Sequence, residues 1–333
     1  MSKFLKDLKR WLPGALIIIA LIAAIYYFVD LRTTWNAIRH ADYRLLSGSI
    51  FLSFVWMFIR AKVWQTLLRD KPKYVDVMFA ASEGYLLNNF LPFRLGELGR
   101  AFLLSRKSGM AFSEILPTII IERVTDLAFS AAILLASLPF VVGAQGSERI
   151  AYIVGGVVLF GMAMMYVLAR NNQWALDLFH KLSARWPSLQ KFGGSFLESF
   201  FSGLGVLTDG WLFLRFLFWM TINWCVALVS YYLITLAYFP QAQPTWTLFI
   251  LGAAAFGGAI PALPGGVGTF EGAISAALTL FTKDQSTSLA VALTARLYNY
   301  INSAVLGGIG LMREGDTLTG IYRQLMALRK KEE

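Results

Sequence analysis

NNFLPFRLGELGRAFLLSRKSGMAFSEILPTIIIERVTD, residues Asn88 to Asp126, sets a string of charges inside a strongly apolar chain. Arg94, Glu97, Arg100, Glu122, Arg123 and Asp126 all fall within it, and Pro92, Gly96 and Gly99 loosen or break a helix where the first of them occur. A helix that stops inside a bilayer must bury its freed backbone groups in protein or turn them toward water. Ionisable side chains at such a break are costly, which makes them functional candidates by default.

The surroundings establish the bilayer. Of 333 residues 57% are hydrophobic and 15% charged, where a soluble protein carries about 25% charged residues. No charge occurs between Arg215 and Glu271. The chain therefore reads as an all-α polytopic membrane protein. Its net charge of +10 lies in short loops and tails, which fits positive-inside topology and anionic lipid rather than nucleic acid. The single Cys225 excludes an internal disulfide, and His40 and His180 lack ligand-like spacing, so no metal site is expected.

Six full spans are predicted, at about 12–29, 45–58 (extending past Arg60 toward Trp64), 114–139, 150–169, 212–239 and 289–312. The first follows KFLKDLKR without a small-x-small cleavage site, so it reads as a retained span. Two Pro/Gly-broken regions, 75–107 and 246–281, read as re-entrant helical hairpins. The first half covers 1–169 and the second 212–312. Between them, 170–211 carries aromatic and leucine residues spaced for interfacial cytoplasmic helices, and 313–333 is a polar cytoplasmic tail. With the N-terminus inside, 23 of the 30 basic residues fall on the cytoplasmic side, Arg60 and Lys62 counted in a loop, and five outside. Arg123 and Arg296 lie within spans.

The two broken regions resemble each other. Leu91-Pro92, Gly96, Glu97 and later Arg123 match Leu263-Pro264, Gly268, Glu271 and later Arg296. Glu97 and Arg123 are 26 positions apart; Glu271 and Arg296 are 25. Inserted from opposite faces, the copies would form an inverted repeat with a site near the midplane. Helix starts after Pro92 and after the GGVG loop (Gly265, Gly266, Gly268) would attract a phosphate or carboxylate. Arg123 and Arg296 would add full charges, with Asn88 nearby. Glu97, Glu122 and Glu271 could hold those arginines, bind a cationic headgroup or exchange protons. Alternatively, these charges only pair across the halves and lock the fold.

These residues also resemble a known family. NNFLPFRLGELGR with the following IERVTDL, and IPALPGGVGTFEGAI with the later LTARLYNYI, are similar to the paired motifs of the lysylphosphatidylglycerol synthetase flippase-domain family. The matching positions are Asn88, Pro92, Arg94, Gly96, Glu97, Arg100, Glu122, Arg123 and Asp126, then Pro261, Pro264, Gly265, Gly266, Gly268, Glu271 and Arg296. The resemblance implies an integral inner-membrane protein that handles lipids. The chain stops about twenty residues after its last predicted span, which leaves no room for a soluble aminoacyl transferase.

The leading expectation is a non-enzymatic lipid translocase without cofactor or catalytic residues. It would bind an anionic phospholipid or lipid phosphate, as a homo-oligomer or beside a lipid enzyme. GELGR lacks the nucleotide-binding loop pattern. An intramembrane transferase using Glu97, Glu122 and Asp126, or a scaffold for envelope-lipid enzymes, are the alternatives.

Overall fold

The computed structural model describes residues 30–90, 94–142, 208–259 and 266–314, with scattered positions between 156 and 181. The predicted span at 12–29, most of those at 150–169 and 170–211, the tail after Glu314, Pro92, Pro261, Pro264 and Gly265 lie outside the described residues.

Among the described residues the protein is helical without strands. Helix α1 covers Leu31–His40, α2 Tyr43–Leu67, α3 Tyr74–Phe90, α4 Leu95–Ser108 and α5 Phe112–Ser137, the last prolonged by the short Pro139–Val142. After the connector come α6 (Gly210–Tyr238), α7 (Pro244–Ala259), α8 (Thr269–Thr282) and α9 (Gln285–Glu314). Aspartates start three of them. The carboxylates of Asp30, Asp42 and Asp209 accept first-turn amides, such as Arg44 N at 2.8 Å and Leu212 N at 3.2 Å. Gly109, at φ 71°, ends α4 in the left-handed conformation that costs glycine least. Helices α2, α5 (to Val141) and α6 are long and apolar enough to cross a membrane.

Both predicted breaks are real interruptions between paired helices, α3–α4 and α7–α8. The sequence placed Arg60 and Lys62 in a basic cytoplasmic loop, and this is corrected. Helix α2 continues to Leu67, and Arg60 is 2% exposed inside it. Its apolar neighbours Trp56, Met57 and Trp64 recur at helical spacing, so the burial of that face outweighs the local cluster of charges.

The packing repeats. Helix α3 lies on α4 as α7 lies on α8, α4 on α5 as α8 on α9, and α2 on α3 as α6 on α7. The cross-contacts exchange too: α3 packs on α9, and α7 on α5. Close glycine contacts hold both hairpins. A Cβ at Gly84 would sit 2.9 Å from the Gly96 carbonyl and 2.6 Å from Arg100 Cβ. A Cβ at Gly257 would sit 2.5 Å from the Thr269 carbonyl and 2.5 Å from Ala273 Cβ. In each hairpin the first contact lies twelve residues on and the second sixteen.

Helices α2 and α6 form the central seam and run antiparallel. Asp42 N meets the Ala237 carbonyl (3.0 Å), Ser49 exchanges hydroxyl–carbonyl hydrogen bonds with Ser230 (3.0 and 3.2 Å), and Asn223 Nδ2 reaches the Trp56 carbonyl (3.1 Å). The pairs advance by seven residues in opposite directions, so one face of each helix stays in contact.

Candidate functional site

Residues flanking both helix breaks line one cavity of about 450 Å³. Arg60, Asn88, Arg94, Glu97, Arg123 and Asp126 line it from the first four-helix unit, α2–α5; Gly258, Gly266, Phe270, Arg296, Asn299 and Asn302 line it from the second, α6–α9. Leu127, Trp224, Ala227, Leu251, Ala254 and Ala255, from α5, α6 and α7, form an apolar wall. One chamber thus presents charge beside hydrocarbon-like surface, the division an amphiphile requires.

The charged wall has two depths. Behind lies a buried triad: Arg60 Nη2 is 2.5 Å from Glu122 Oε1, and Arg100 Nη2 is 3.2 Å from the same oxygen. Glu122 is 0% exposed and both arginine side chains 2%. Three charges so deep require mutual neutralisation, since an unpaired one costs several kcal/mol. Arg100 also lies 4.7 Å from the Trp64 ring centroid, and Arg60 5.8 Å from that of Trp56. In front stand Glu97, Arg123 and Asp126, with side chains 15%, 27% and 19% exposed. Arg123 Nη2 is 2.6 Å from Glu97 Oε1, and its Nη1 is 3.2 Å from Asp126. Arg60 joins the layers by binding Asp126 as well.

The second half carries the matching pair. Arg296 Nε is 2.5 Å from Glu271 Oε1, and Phe270 lies under the guanidinium at 4.4 Å. The near-equal Glu–Arg spacings of the two motifs therefore correspond to two ion pairs, each joining the third residue of a hairpin's second helix to the long helix after it. At the start of α8 the amide of the preceding residue, Gly268 N, donates to Glu271 Oε2 at 2.8 Å. An acid at that position neutralises the helix start from within. Arg94 crosses between the hairpins, donating to the Gly258 carbonyl near the end of α7. It starts α4 at φ 54° and ψ 37°, a left-handed conformation uncommon for a non-glycine residue.

Of the residues singled out by sequence, Asn88, Arg94, Glu97, Arg123, Asp126, Gly266 and Arg296 line the cavity. Arg100 and Glu122 stand behind it, Gly268 and Glu271 brace Arg296 and the start of α8, and Gly265 lies outside the described residues. Sequence reasoning missed Arg60, and it missed Asn223 in the part of α6 that carries no charge after Arg215. It also missed Trp56 and Tyr85, whose rings meet edge to face at 5.7 Å beside the arginines. The signal for Arg60 was a lone arginine four residues from a tryptophan on either side. No group of acidic, histidine or cysteine side chains suited to a metal occurs among the described residues.

Comparisons with known proteins agree with this reading. A UPF0104 membrane protein of Methanocaldococcus jannaschii is 26% identical over 224 residues, covering 67% of this chain and 92% of that protein. One from Methanothermobacter thermautotrophicus is 21% identical over 315 residues, covering 91% and 93%. No solved structure matches. The family model described as the lysylphosphatidylglycerol synthase TM region matches residues 11–307, nearly the whole helical part. With its multi-pass helices, paired breaks and arginine–carboxylate cavity, the chain is a membrane protein that belongs to that family.

Proposed function

We propose that this chain is a lipid translocase, holding an anionic phospholipid or lipid-phosphate headgroup between two inverted halves and carrying it across the cytoplasmic (inner) membrane. In this reading α3–α4 and α7–α8 are re-entrant hairpins that enter from opposite faces. Six full spans accompany them, and both termini lie in the cytoplasm. The observation that carries the reading is the single cavity lined by residues flanking both breaks, charged on one wall and apolar on another. The antiparallel seam supports inversion, because matched helices that run in opposite directions belong to halves inserted in opposite senses.

The headgroup would exchange its hydration for guanidinium and amide groups, while the acyl chains lie along the α5–α7 wall. Each carboxylate at the cavity is held by at least one arginine. The driving force in this reading is a lipid gradient, an ion gradient or a partner protein.

The test is a headgroup-accessibility assay on proteoliposomes containing a labelled anionic phospholipid. Transbilayer movement without a product of new mass is expected. A new lipid species would replace the translocase by a transferase. Neither movement nor product would reduce the charges to packing groups.

A further inference from the structure

We propose that α1 and the start of α2 form a docking surface for anionic phospholipids, in the headgroup layer at one end of the bundle and apart from the central cavity. That end carries Lys283, and only its assignment to the outer leaflet rests on the topology given above. Both ends of α1 fix its place. At its start Asp30 N donates to Ser286 Oγ (3.3 Å) and Thr34 Oγ1 to the Ser286 carbonyl (3.1 Å), in the first turn of α9. Past its end Asp42 N meets the Ala237 carbonyl in the last turn of α6 (3.0 Å). The start of α9 and the end of α6 lie at the same end of the bundle. The ten residues of α1, about 15 Å, therefore cross that end and do not run along the spans. Tyr43 sets the depth. With Phe51 and Phe58 it forms an exposed stripe along α2, at steps of eight and seven residues, on the face this apolar span turns to lipid. Tyr43 tops the stripe, and its hydroxyl donates to the Ile38 carbonyl of α1 at 2.9 Å. A tyrosine at the end of a span marks the bilayer boundary. The last turn of α1 thus lies at headgroup level, on the lipid-facing side of α2.

The side chains there suit an anionic surface. Thr34 and Ala41 are buried against the bundle. Arg32, Trp35, Asn36 and Arg39 are exposed and recur at the spacing of one helix face. Trp35 stands between two arginines, which is the mixture of ring and cation that membrane interfaces favour. Arg44, also exposed, adds a third guanidinium beside Tyr43. The neighbouring acids are otherwise engaged. Asp30 accepts from Arg32 N and Thr33 N, and Asp42 from Arg44 N and Leu45 N, so both carboxylates serve backbone amides. No ion pair among the described residues includes Arg32, Arg39 or Arg44. Helix stability does not account for them either. Arg39 suits the last turn of α1, but Arg32 lies in the first, where a cation opposes the helix dipole. The three are also a majority of the five basic residues placed outside, against the rule that gathers such residues in the cytoplasm. Lipid phosphates supply the counter-charge at that depth, and guanidinium binds them through paired N–H donors.

The experiment places a photoactivatable benzophenone amino acid at Asn36 of the full chain, in vesicles holding phosphatidylcholine and phosphatidylglycerol in equal amounts. Illumination and mass spectrometry then count the lipids joined to that position, which excludes any lipid held in the cavity. Phosphatidylglycerol adducts are expected to exceed their share by at least about fivefold, the factor that one arginine near an anionic surface supplies. The triple variant Arg32→Gln/Arg39→Gln/Arg44→Gln should bring the ratio down to the vesicle composition. The corresponding triple lysine variant should keep most of the enrichment, which separates loss of charge from loss of fold. Adducts that follow the vesicle composition in the wild type would overturn the preference for anionic lipid. Adducts to protein alone, or none with lipid, would overturn the lipid surface and leave α1 as a contact for another chain or a face turned to water. Transport is read separately in the same vesicles. Enrichment at position 36 without lipid movement would uphold this inference and sink the translocase reading alone.

Discussion

Replacing Glu271 by glutamine removes one charge and almost no volume, and the structure gives the expected cost. The carboxylate receives Arg296 Nε at 2.5 Å, Arg296 Nη2 at 3.1 Å and Gly268 N at 2.8 Å, and the two side chains are 12% and 11% exposed. Removing one partner of a buried pair costs about 3–5 kcal/mol. Glutamine keeps an oxygen for the amide or for the guanidinium, so the loss should approach that of a charged hydrogen bond, about 2–3 kcal/mol. The double variant E271Q/R296Q leaves no lone charge and should recover most of that stability. Heating the detergent-purified proteins and measuring the monodisperse fraction should rank them wild type, double, single. Transport should behave differently, being lost in the single variant and still lost in the double, because Arg296 faces the cavity. A double variant that moves lipid at the wild-type rate, or a monodisperse E271Q with full activity, would refute the reasoning and leave the pair as a fold lock.

Gly257→Ala should force α7 away from the Thr269 carbonyl and cost about 1–3 kcal/mol, whereas Gly272→Ala, with no atom within 4 Å, should be neutral; thermal inactivation of the two proteins compares them. In a Cys225→Ser background, cysteines placed at Lys71 and Lys283, both exposed, should label from the cytoplasmic and the opposite face respectively. An inaccessible position 283 in intact cells would contradict the two-hairpin topology. Partial burial pushes Asp70 upward, but the hydrogen bonds of Lys62 (3.0 Å) and Arg215 (2.8 Å) outweigh it and hold its carboxyl below its ordinary value. Its contribution is thus present above the unfolded value of about 4 and lost as the pH falls further. The stability difference between wild type and Asp70→Asn should therefore disappear in acid, as heat denaturation across pH would record.

What the sequence made legible was local. Proline and glycine marked both helix breaks, because they alter backbone geometry wherever they occur; the near-equal Glu97–Arg123 and Glu271–Arg296 spacings suggested a repeat, whereas the pairing expected across the halves is found within each half. Contacts between distant segments were not legible. Arg60 was read as a loop residue because Lys62, Arg69, Lys71 and Lys73 follow it closely. Its real environment is supplied by Glu122 and Asp126, sixty residues on, and by Asn223 from the other half. The bond from Gly268 to Glu271 was hidden for a different reason. An acid three residues into a helix reads equally as a ligand group or as a cap, and only the position of the Gly268 amide decides between them.

The seam between α2 and α6 bears on ancestry. Contacts that match 42 with 237, 49 with 230 and 56 with 223 are those of two like surfaces laid antiparallel, as in an isologous dimer. A polypeptide of half this length, inserted in both orientations, would bring the same faces together and enclose a cavity from two copies. Joining the copies in one gene frees each half to change alone. Arg60, Arg100 and Glu122 could then gather on one side while the other kept the single pair of Arg296 and Glu271.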